Sequence, residues 1–499
     1  MPSAFASPGR IVENAQSKCL FIIAAFTLLL ACSDNAKTQL QNEADNSPQL
    51  PNIVLVLTDD QGYADASAFG QEAYSTPNID SLADNGLMLT QFYVAQPVCS
   101  ASRAAILTGA YPNRIGVSSA FMPSDLVEGP PVGLNLDEET LPELLKLKGY
   151  NTALFGKWHL GDTAPFLPTY HGFDEFYGIP YSNDMWSANV NKKFAFADLP
   201  IYQQDKVVKV LTDDQSNLTT ELTEKSVDFI NRNADSPFFL MLSHPQPHVP
   251  LFVSDKFKGK SGAGLYGDVM MEIDWSTGEL IKALKQNNIL KNTLFIYMSD
   301  NGPWLSFGEH AGSAGILRNG KLSSFEGGIR TPALVQWPGT LPQNQRIDTP
   351  MISMDWLPTI INLIDGKLPD KKIDGHNIWP ILSGQTQDPT REAFFFYFHK
   401  NDLTAVRFGD WKLYYPHRYN LVIEPGENGK RGEEEWPMLS GIELYNLKDD
   451  PSETKNVVED HPEVVAQIEA LANEKRQALG DNLQGIEGSE RRPVGRLGE

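Results

Sequence analysis

The sequence predicts an α/β fold: a large mixed, mostly parallel sheet flanked by helices, followed by a smaller C-terminal α+β subdomain. Three observations predict it. Short aliphatic runs such as Ile53-Val54-Leu55-Val56-Leu57 carry no polar interruption, as in strands buried on both faces. These runs alternate with helical segments from residue 51 to residue 390. Beyond residue 390 the texture changes to short, closely spaced strand patterns and one helix.

In chain order, the run starting at Asn52 is the first strand, and Thr58-Asp59-Asp60 follow its C-terminal end. Thr76-Pro77 opens a helix that Gly86 closes. A second helix begins at Cys99 and ends at Gly109. The spacing predicts helices over 141–147, 218–233 and 266–285, with strands over 152–155, 237–242 and 293–298. The last of these again ends in polar groups, Ser299-Asp300-Asn301-Gly302. Residues 51–390 form the main domain. In the subdomain, 391–480, strands are expected over 392–398, 403–415 and 443–447, then a helix over 462–479. Residues 481–499, rich in Gly and charge, read as a loose tail.

The net charge of −22 excludes nucleic acid as a partner, because such binding needs basic surface. An anionic substrate would have to be drawn by a few cations concentrated in one site. Arg10 and Lys18 flank the start of an apolar segment, 20–30, that is shorter than the ~20 residues needed to cross a bilayer. It ends in Leu29-Leu30-Ala31-Cys32, which resembles a bacterial lipobox. That resemblance implies a signal peptide over 1–31, lipidation of Cys32 and a polar tether over 32–50. The expected location is that of an exported bacterial lipoprotein on the cell or outer membrane, facing periplasm or exterior.

Outside the leader, Cys99 is the sole cysteine, so it has no internal disulfide partner. It opens a helix, with Arg103 one turn on, and a helix N-terminus beside an arginine favours an anion. Asp59, Asp60, Asp300 and Asn301 are four hard oxygen donors at two strand ends, suited to Ca²⁺ or Mg²⁺. Lys157 and His159 flank Trp158 after another strand; extended chain would turn both toward one side. His248 lies in a proline-stiffened loop, Pro245-Gln246-Pro247-His248-Val249-Pro250, and Lys321 in a Gly-flanked turn. Taken singly, each has a plain structural alternative: a buried thiol, a capped acidic loop, a solvated lysine.

The motifs together resemble the type I formylglycine-dependent sulfatases, arylsulfatase-like members of the alkaline phosphatase superfamily. They run in family order: Asp59-Asp60-Gln61-Gly62-Tyr63, Cys99-Ser100-Ala101-Ser102-Arg103, Gly156-Lys157-Trp158-His159-Leu160-Gly161, His171-Gly172-Phe173-Asp174 and Pro247-His248-Val249-Pro250. Ser299-Asp300-Asn301-Gly302-Pro303, Gly320-Lys321, Glu326-Gly327-Gly328, Gly409-Asp410-Trp411-Lys412-Leu413 and Leu444-Tyr445-Asn446-Leu447 continue the series. One departure stands out: Ala101 replaces the proline usual in the maturation motif, which leaves open which enzyme matures it.

The resemblance implies an alkaline phosphatase-like fold and hydrolysis of sulfate esters, on a sulfated polysaccharide or oligosaccharide. It implies conversion of Cys99 to formylglycine (3-oxoalanine) by a formylglycine-generating enzyme. It further implies one Ca²⁺, with Mg²⁺ the lesser choice, on Asp59, Asp60, Asp300, Asn301 and the modified Cys99. Arg103 and Lys157 would hold the hydrated aldehyde and the sulfate. Lys321 and His248 would face the leaving oxygen, and His159 would take a proton from the second hydroxyl. Trp304, Phe307 and the 171–174 turn are candidates for shaping a sugar pocket. Two rivals remain at this point: a phosphatase or phosphonate hydrolase of the same superfamily, and a glycan-binding lipoprotein without turnover.

Overall fold

The computed structural model describes residues 50–498 apart from 192 and 193, together with Gly9. The signal peptide, the Cys32 lipid site and nearly all of the tether lie outside the described residues. Among the described residues no helix is long and apolar enough to cross a membrane.

A ten-stranded mixed sheet organises the chain. Its strands are β1 (Asn52–Thr58), β2 (Leu87–Leu89), β3 (Asn151–Lys157), β4 (Glu175–Ile179), β5 (Leu199–Gln203), β6 (Lys206–Leu211), β7 (Phe238–Ser243), β8 (Thr293–Ser299), β9 (Ala333–Gln336) and β10 (Gln345–Ile347). Spatial order is β10-β2-β9-β8-β1-β7-β3-β4-β5-β6. The central five, β8-β1-β7-β3-β4, are all parallel, and antiparallel strands flank them on both sides. The aliphatic runs read from the sequence are these central strands. They are buried on both faces, so every residue of β1 and β8 is hidden.

One face packs on α1 (Pro77–Asp84), α3 (Leu218–Arg232) and α4 (Gly264–Gln286). Val54, Val56, Leu240 and Tyr297 meet Ile79, Leu222, Phe229 and Ile273 there in one apolar cluster. The alternate residues Ile53, Leu55, Leu57 and Met241 are just as buried. Thr76 offers α1 no side-chain cap; Asp274 of α4 instead accepts the backbone N–H groups of Asn78 and Ile79, each at 2.8 Å. An anion at that helix start is favourable. The helix α2 (Cys99–Thr108) is wholly buried and ends on Gly109 in the left-handed conformation (φ 66°), as its sequence predicts.

The C-terminal region is a four-stranded antiparallel sheet, β11 (Ala393–Phe398), β12 (Asp402–Phe408), β13 (Trp411–Tyr414) and β14 (Glu443–Asn446), with α5 (Pro462–Leu479) packed on β12 and β13. The single strand expected over 403–415 is a hairpin, because Gly409 (φ 55°) turns the chain back. Residues 481–498 are pinned, contrary to the loose tail expected from composition. Glu490 pairs with Arg114 at 2.9 Å, Arg492 with Glu138 at 2.6 Å, and Gly495 and Arg496 pair with Val132 and Gly133 as short strands. Composition cannot foresee partners more than 300 residues away.

A buried ionic cluster ties the C-terminal sheet to the main domain. Lys412 of β13 reaches Glu326 at 2.8 Å and Glu453 at 3.5 Å, all three out of solvent. Tyr93 donates to Glu326 at 2.6 Å, and Phe396 of β11 packs on the Tyr93 ring. Removing one partner of a buried pair strands the other charge. Lys412→Met should therefore lower unfolding free energy by about 3–5 kcal/mol in denaturant titration. The double variant Lys412→Met with Glu326→Gln should lose less than the single one. A neutral single variant would contradict this role for the cluster.

Candidate active site

The parallel strands deliver their C-terminal ends to one edge of the sheet, where α/β folds bind ligands. Register fixes this: Thr58 of β1 lies opposite Ser299 of β8, Leu57 opposite Ser243 of β7, and Gly156 of β3 opposite Ser243. Asp59 and Asp60 therefore follow β1 beside Asp300 and Asn301 after β8. Lys157 ends β3 next to Ser243. Residue 156 has to be glycine: its φ is 119°, and a Cβ there would lie 1.8 Å from the Ser243 carbonyl oxygen.

Cys99, at the first position of α2, points into this edge. Its Sγ lies 3.3 Å from Asp59 Oδ1 and 3.9 Å from Asp60 Oδ1, and Lys321 Nζ donates to it at 3.2 Å. Lys321 also reaches Asp60 Oδ1 at 2.7 Å. Lys157 Nζ pairs with Asp59 Oδ2 and donates to Ser182 Oγ at 3.0 Å. Arg103 donates Nε to Asp300 Oδ2 at 2.9 Å, and Nη1 to the Lys157 carbonyl at 2.9 Å and Ser243 Oγ at 2.6 Å. His248 Nε2 is 3.5 Å from Asp60 Oδ2. His159 donates Nε2–H to the Phe121 carbonyl at 2.9 Å, and its Nδ1 is buried with no protein partner. All ten residues that the sequence assigned to catalysis or metal binding gather here, and Lys321, at 5% exposure, is the least buried of them.

Lys157 and His159 do reach the same site, but not by strand alternation. β3 stops at Lys157, and His159 takes a left-handed conformation (φ 64°) while Trp158 turns away to donate to the Phe166 carbonyl. Asp60 is left-handed as well (φ 61°). Such strain in non-glycine residues collects where the surrounding structure enforces a functional geometry.

Burial dominates the electrostatics. It would raise Asp59, but Lys157, His248 and Arg103 hold its carboxyl well below the usual range. Asp60 is pushed up to about 7 by burial against Lys321, with Asp59 and Asp300 adding to the rise. Asp300 is raised by burial and Asp59, against Arg103. Burial and Asp59 push the Cys99 thiol well up. Burial, reinforced by Lys157 and Arg103, drives His159 well down; burial and Lys321 do the same to His248. Both imidazoles are neutral near pH 7 and able to take a proton.

The donor set suits a hard divalent cation. Ligand atoms of Asp59, Asp60, Cys99 and His248 lie within 4.8 Å of one another, all buried. The Asn301 amide donates to Asp60 Oδ1 at 2.6 Å, which leaves its own Oδ1 buried with no protein partner. Asp300 Oδ1 accepts the Asp60 backbone N–H at 3.2 Å. Three carboxylates and an orphaned amide oxygen in a dry pocket fit an oxygen-coordinated ion.

Several participants have weak sequence signals. Ser243 carries the same signal as Asp59, a polar residue closing an apolar strand. Ser182, which holds Lys157, sits in a loop with no periodicity to mark it. Trp304 lies against His248 (ring centroids 5.5 Å) and beneath Lys321 Nζ (4.7 Å), and with Phe307 it lines an adjoining cavity of about 240 Å³. The 171–174 turn, in contrast, is no part of this pocket. Asp174 clamps Thr152 near the N-terminal end of β3, and the His171 ring packs on Trp158 with centroids 5.6 Å apart, so the motif braces both ends of β3 without lining the pocket.

Residues 51–366 match the family described as sulfatase, and residues 390–491 match the C-terminal region of aryl-sulfatase. The human N-acetylgalactosamine-6-sulfatase is 36% identical over 433 residues, covering 81% of this chain and 79% of its own. Bovine (Bos taurus) arylsulfatase A is 34% identical over 453 residues, covering 86% and 87%. Among solved structures, the PsFucS1 sulfatase from Pseudoalteromonas sp. superposes with a TM-score of 0.77 at 28% identity, over 93% of this chain and 96% of its own. Ps i-CgsB, solved in complex with k-i-k-neocarrahexaose, gives 0.71 at 29% identity, over 90% and 95%. The rival readings within the superfamily fall to these matches: the chain belongs to the sulfatase family and is a sulfuric ester hydrolase.

Proposed function

We propose that this enzyme removes sulfate from a sulfated polysaccharide or oligosaccharide, with Cys99, oxidised to formylglycine, as its nucleophile. The observation that carries this reading is the position of Cys99 Sγ: between the Asp59–Asp60 carboxylates and Lys321 Nζ, in a dry pocket at the strand ends. No disulfide or packing role accounts for a lone thiol set among charges. The glycan part is supported by the neighbour bound to a carrageenan fragment, by the N-acetylgalactosamine-6-sulfatase relatives, and by the Trp304–Phe307 cavity. Aromatic faces suit the apolar faces of sugars.

Asp59, Asp60, Asp300 and Asn301, with the modified Cys99, are the residues that would hold Ca²⁺. When bound, the cation supplies charge that lowers the nucleophile's pKa and draws density from a sulfuryl oxygen. The hydrated aldehyde offers two hydroxyls on one carbon, one to take the sulfuryl group and one to expel it. Arg103, held by Asp300 and Ser243, and Lys157, held by Asp59 and Ser182, orient the anion with rigid donors. Sulfur–oxygen bond formation releases the sugar alcohol, whose oxygen takes a proton from Lys321, with neutral His248 on the same side. His159, neutral and with a free ring nitrogen, then removes the proton of the second hydroxyl. The carbon–oxygen bond to sulfate breaks, sulfate leaves and the aldehyde returns.

The same reading makes a formylglycine-generating enzyme the partner that converts Cys99 within its Ala101 motif. It also has the protein exported and anchored in a lipid membrane through Cys32, at the bacterial cell or outer membrane, facing periplasm or exterior. The support is the 20–32 segment.

A serine has one hydroxyl and no route to expel sulfate. Cys99→Ser should give no steady turnover, and its active-site peptide should gain one sulfuryl group on incubation with substrate. Sustained turnover by this variant would contradict the diol mechanism. Chelation should abolish activity, and Ca²⁺ should restore it better than Mg²⁺. Independently of turnover, Ca²⁺ should raise the melting temperature of the stripped protein, since an ion at 100 times its Kd stabilises the folded state by about 2.7 kcal/mol. Asp60→Asn should remove that shift; an unchanged melting temperature in the unsubstituted protein would contradict the ligand assignment.

A further inference from the structure

Asp184 is a partly buried carboxylate that the chemistry above does not use. It lies on the loop after β4, two residues beyond Ser182, and lines the 240 Å³ cavity together with Trp304, Phe307, Met122, Val249 and Arg431. Its Oδ1 is buried and has no hydrogen-bond partner in the protein. A charged oxygen without a partner in a dry place is costly. Burial raises its pKa, and the attraction of Lys157 and a hydrogen bond from Ser182 oppose the rise, so the residue lies within the field of the catalytic cations.

The cavity adjoins the catalytic centre. Val249 follows His248, and Trp304 touches both His248 and Lys321. These are the groups assigned to the leaving oxygen, so the cavity is where the alcohol released from the ester must sit. Its far wall comes from the C-terminal region. Gly426 N and Gly432 N both donate to the Ser306 carbonyl, at 3.0 and 2.8 Å, which latches that loop to the turn carrying Trp304. Arg431 lies over Trp304 at 5.1 Å. Its charge is already taken: Nε donates to Glu434 Oε1 at 2.8 Å, and Nη2 pairs with Glu434 Oε2. Among the described residues the cavity therefore offers no spare cation, and its unsatisfied polar atoms are an acceptor, Asp184 Oδ1, and a donor, Trp304 Nε1.

We propose that Asp184 is a specificity-determining residue that accepts hydrogen bonds from hydroxyls of the leaving sugar, beside the sulfate ester. This rests on the glycan reading above and narrows it. The preferred leaving group is a single neutral sugar ring with a free hydroxyl near the ester. A second sulfate or a carboxylate facing this wall would be repelled by Asp184. The volume agrees: cavities for drug-sized ligands measure about 300–1,000 Å³, and this one has room for one ring. Sites built to bond a hydroxyl discriminate strongly against analogues lacking it, because the buried acceptor is then left unpaired.

The test compares matured enzyme with Asp184→Ala and Asp184→Asn. Substrates are a panel of hexose and N-acetylhexosamine monosulfates, and 4-nitrophenyl sulfate, whose leaving group has no second hydroxyl. Asp184→Ala should lower kcat/KM for the best sugar about 10- to 100-fold more than for the aryl ester, the range for a hydrogen bond to a charged group. Asp184→Asn, which keeps the shape and a weaker acceptor, should fall between. Asp184→Asn, which keeps an oxygen toward Ser182, should not melt below the parent. Equal losses on sugar and aryl ester, or no loss on the sugar, would overturn the assignment while leaving the glycan reading intact. Parent enzyme active on the aryl ester but on no sugar of the panel would overturn both.

Discussion

Three carboxylates and three basic side chains share one dry pocket, and the rest of the site depends on their mutual neutralisation. Asp59 is matched by Lys157, Asp60 by Lys321 and Asp300 by Arg103. Each of these ions would cost several kcal/mol to bury alone. Paired, they leave the pocket near neutral, so a bound divalent cation would make it net positive where a sulfate ester must enter. The strong acidic surplus of the whole chain does not reach this point, because the cations sit within contact distance and the surface acids do not.

That balance is a consequence of strand register. Each acid stands one or two residues past a strand in the parallel core, and each strand is held on both sides by neighbours over four to seven residues. A slip of one residue would turn every core side chain to the opposite face. The bases arrive on different elements: α2 for Arg103, the end of β3 for Lys157, the loop after β8 for Lys321. Arg103 ties three of these together, since one guanidinium bonds Asp300, the Lys157 carbonyl and Ser243. The left-handed turns at Asp60 and His159 are held by the same frame.

Much of this was legible in the chain. The apolar runs at Asn52 and Thr293 are so continuous that only doubly buried strands fit them, and the acids that follow mark the binding edge. Gly109 correctly closed the helix that Cys99 opens. Other features depend on residues far apart in sequence. The 171–174 motif lies close in sequence to Lys157, yet its Asp174 clamps the opposite end of the same strand. The terminal residues looked loose because their partners, Arg114, Glu138 and Val132, belong to the main domain. Asp184 and Arg431 have no periodicity or motif to mark them; only the fold places a loop after β4 and a C-terminal loop around one cavity.

The most direct test of the central claim is the mass of the proteolytic peptide containing Cys99, from protein made in a host with a formylglycine-generating enzyme. The account predicts the aldehyde or its hydrate in place of the thiol. An intact Cys99 thiol, in that host and in the native cell alike, would contradict it.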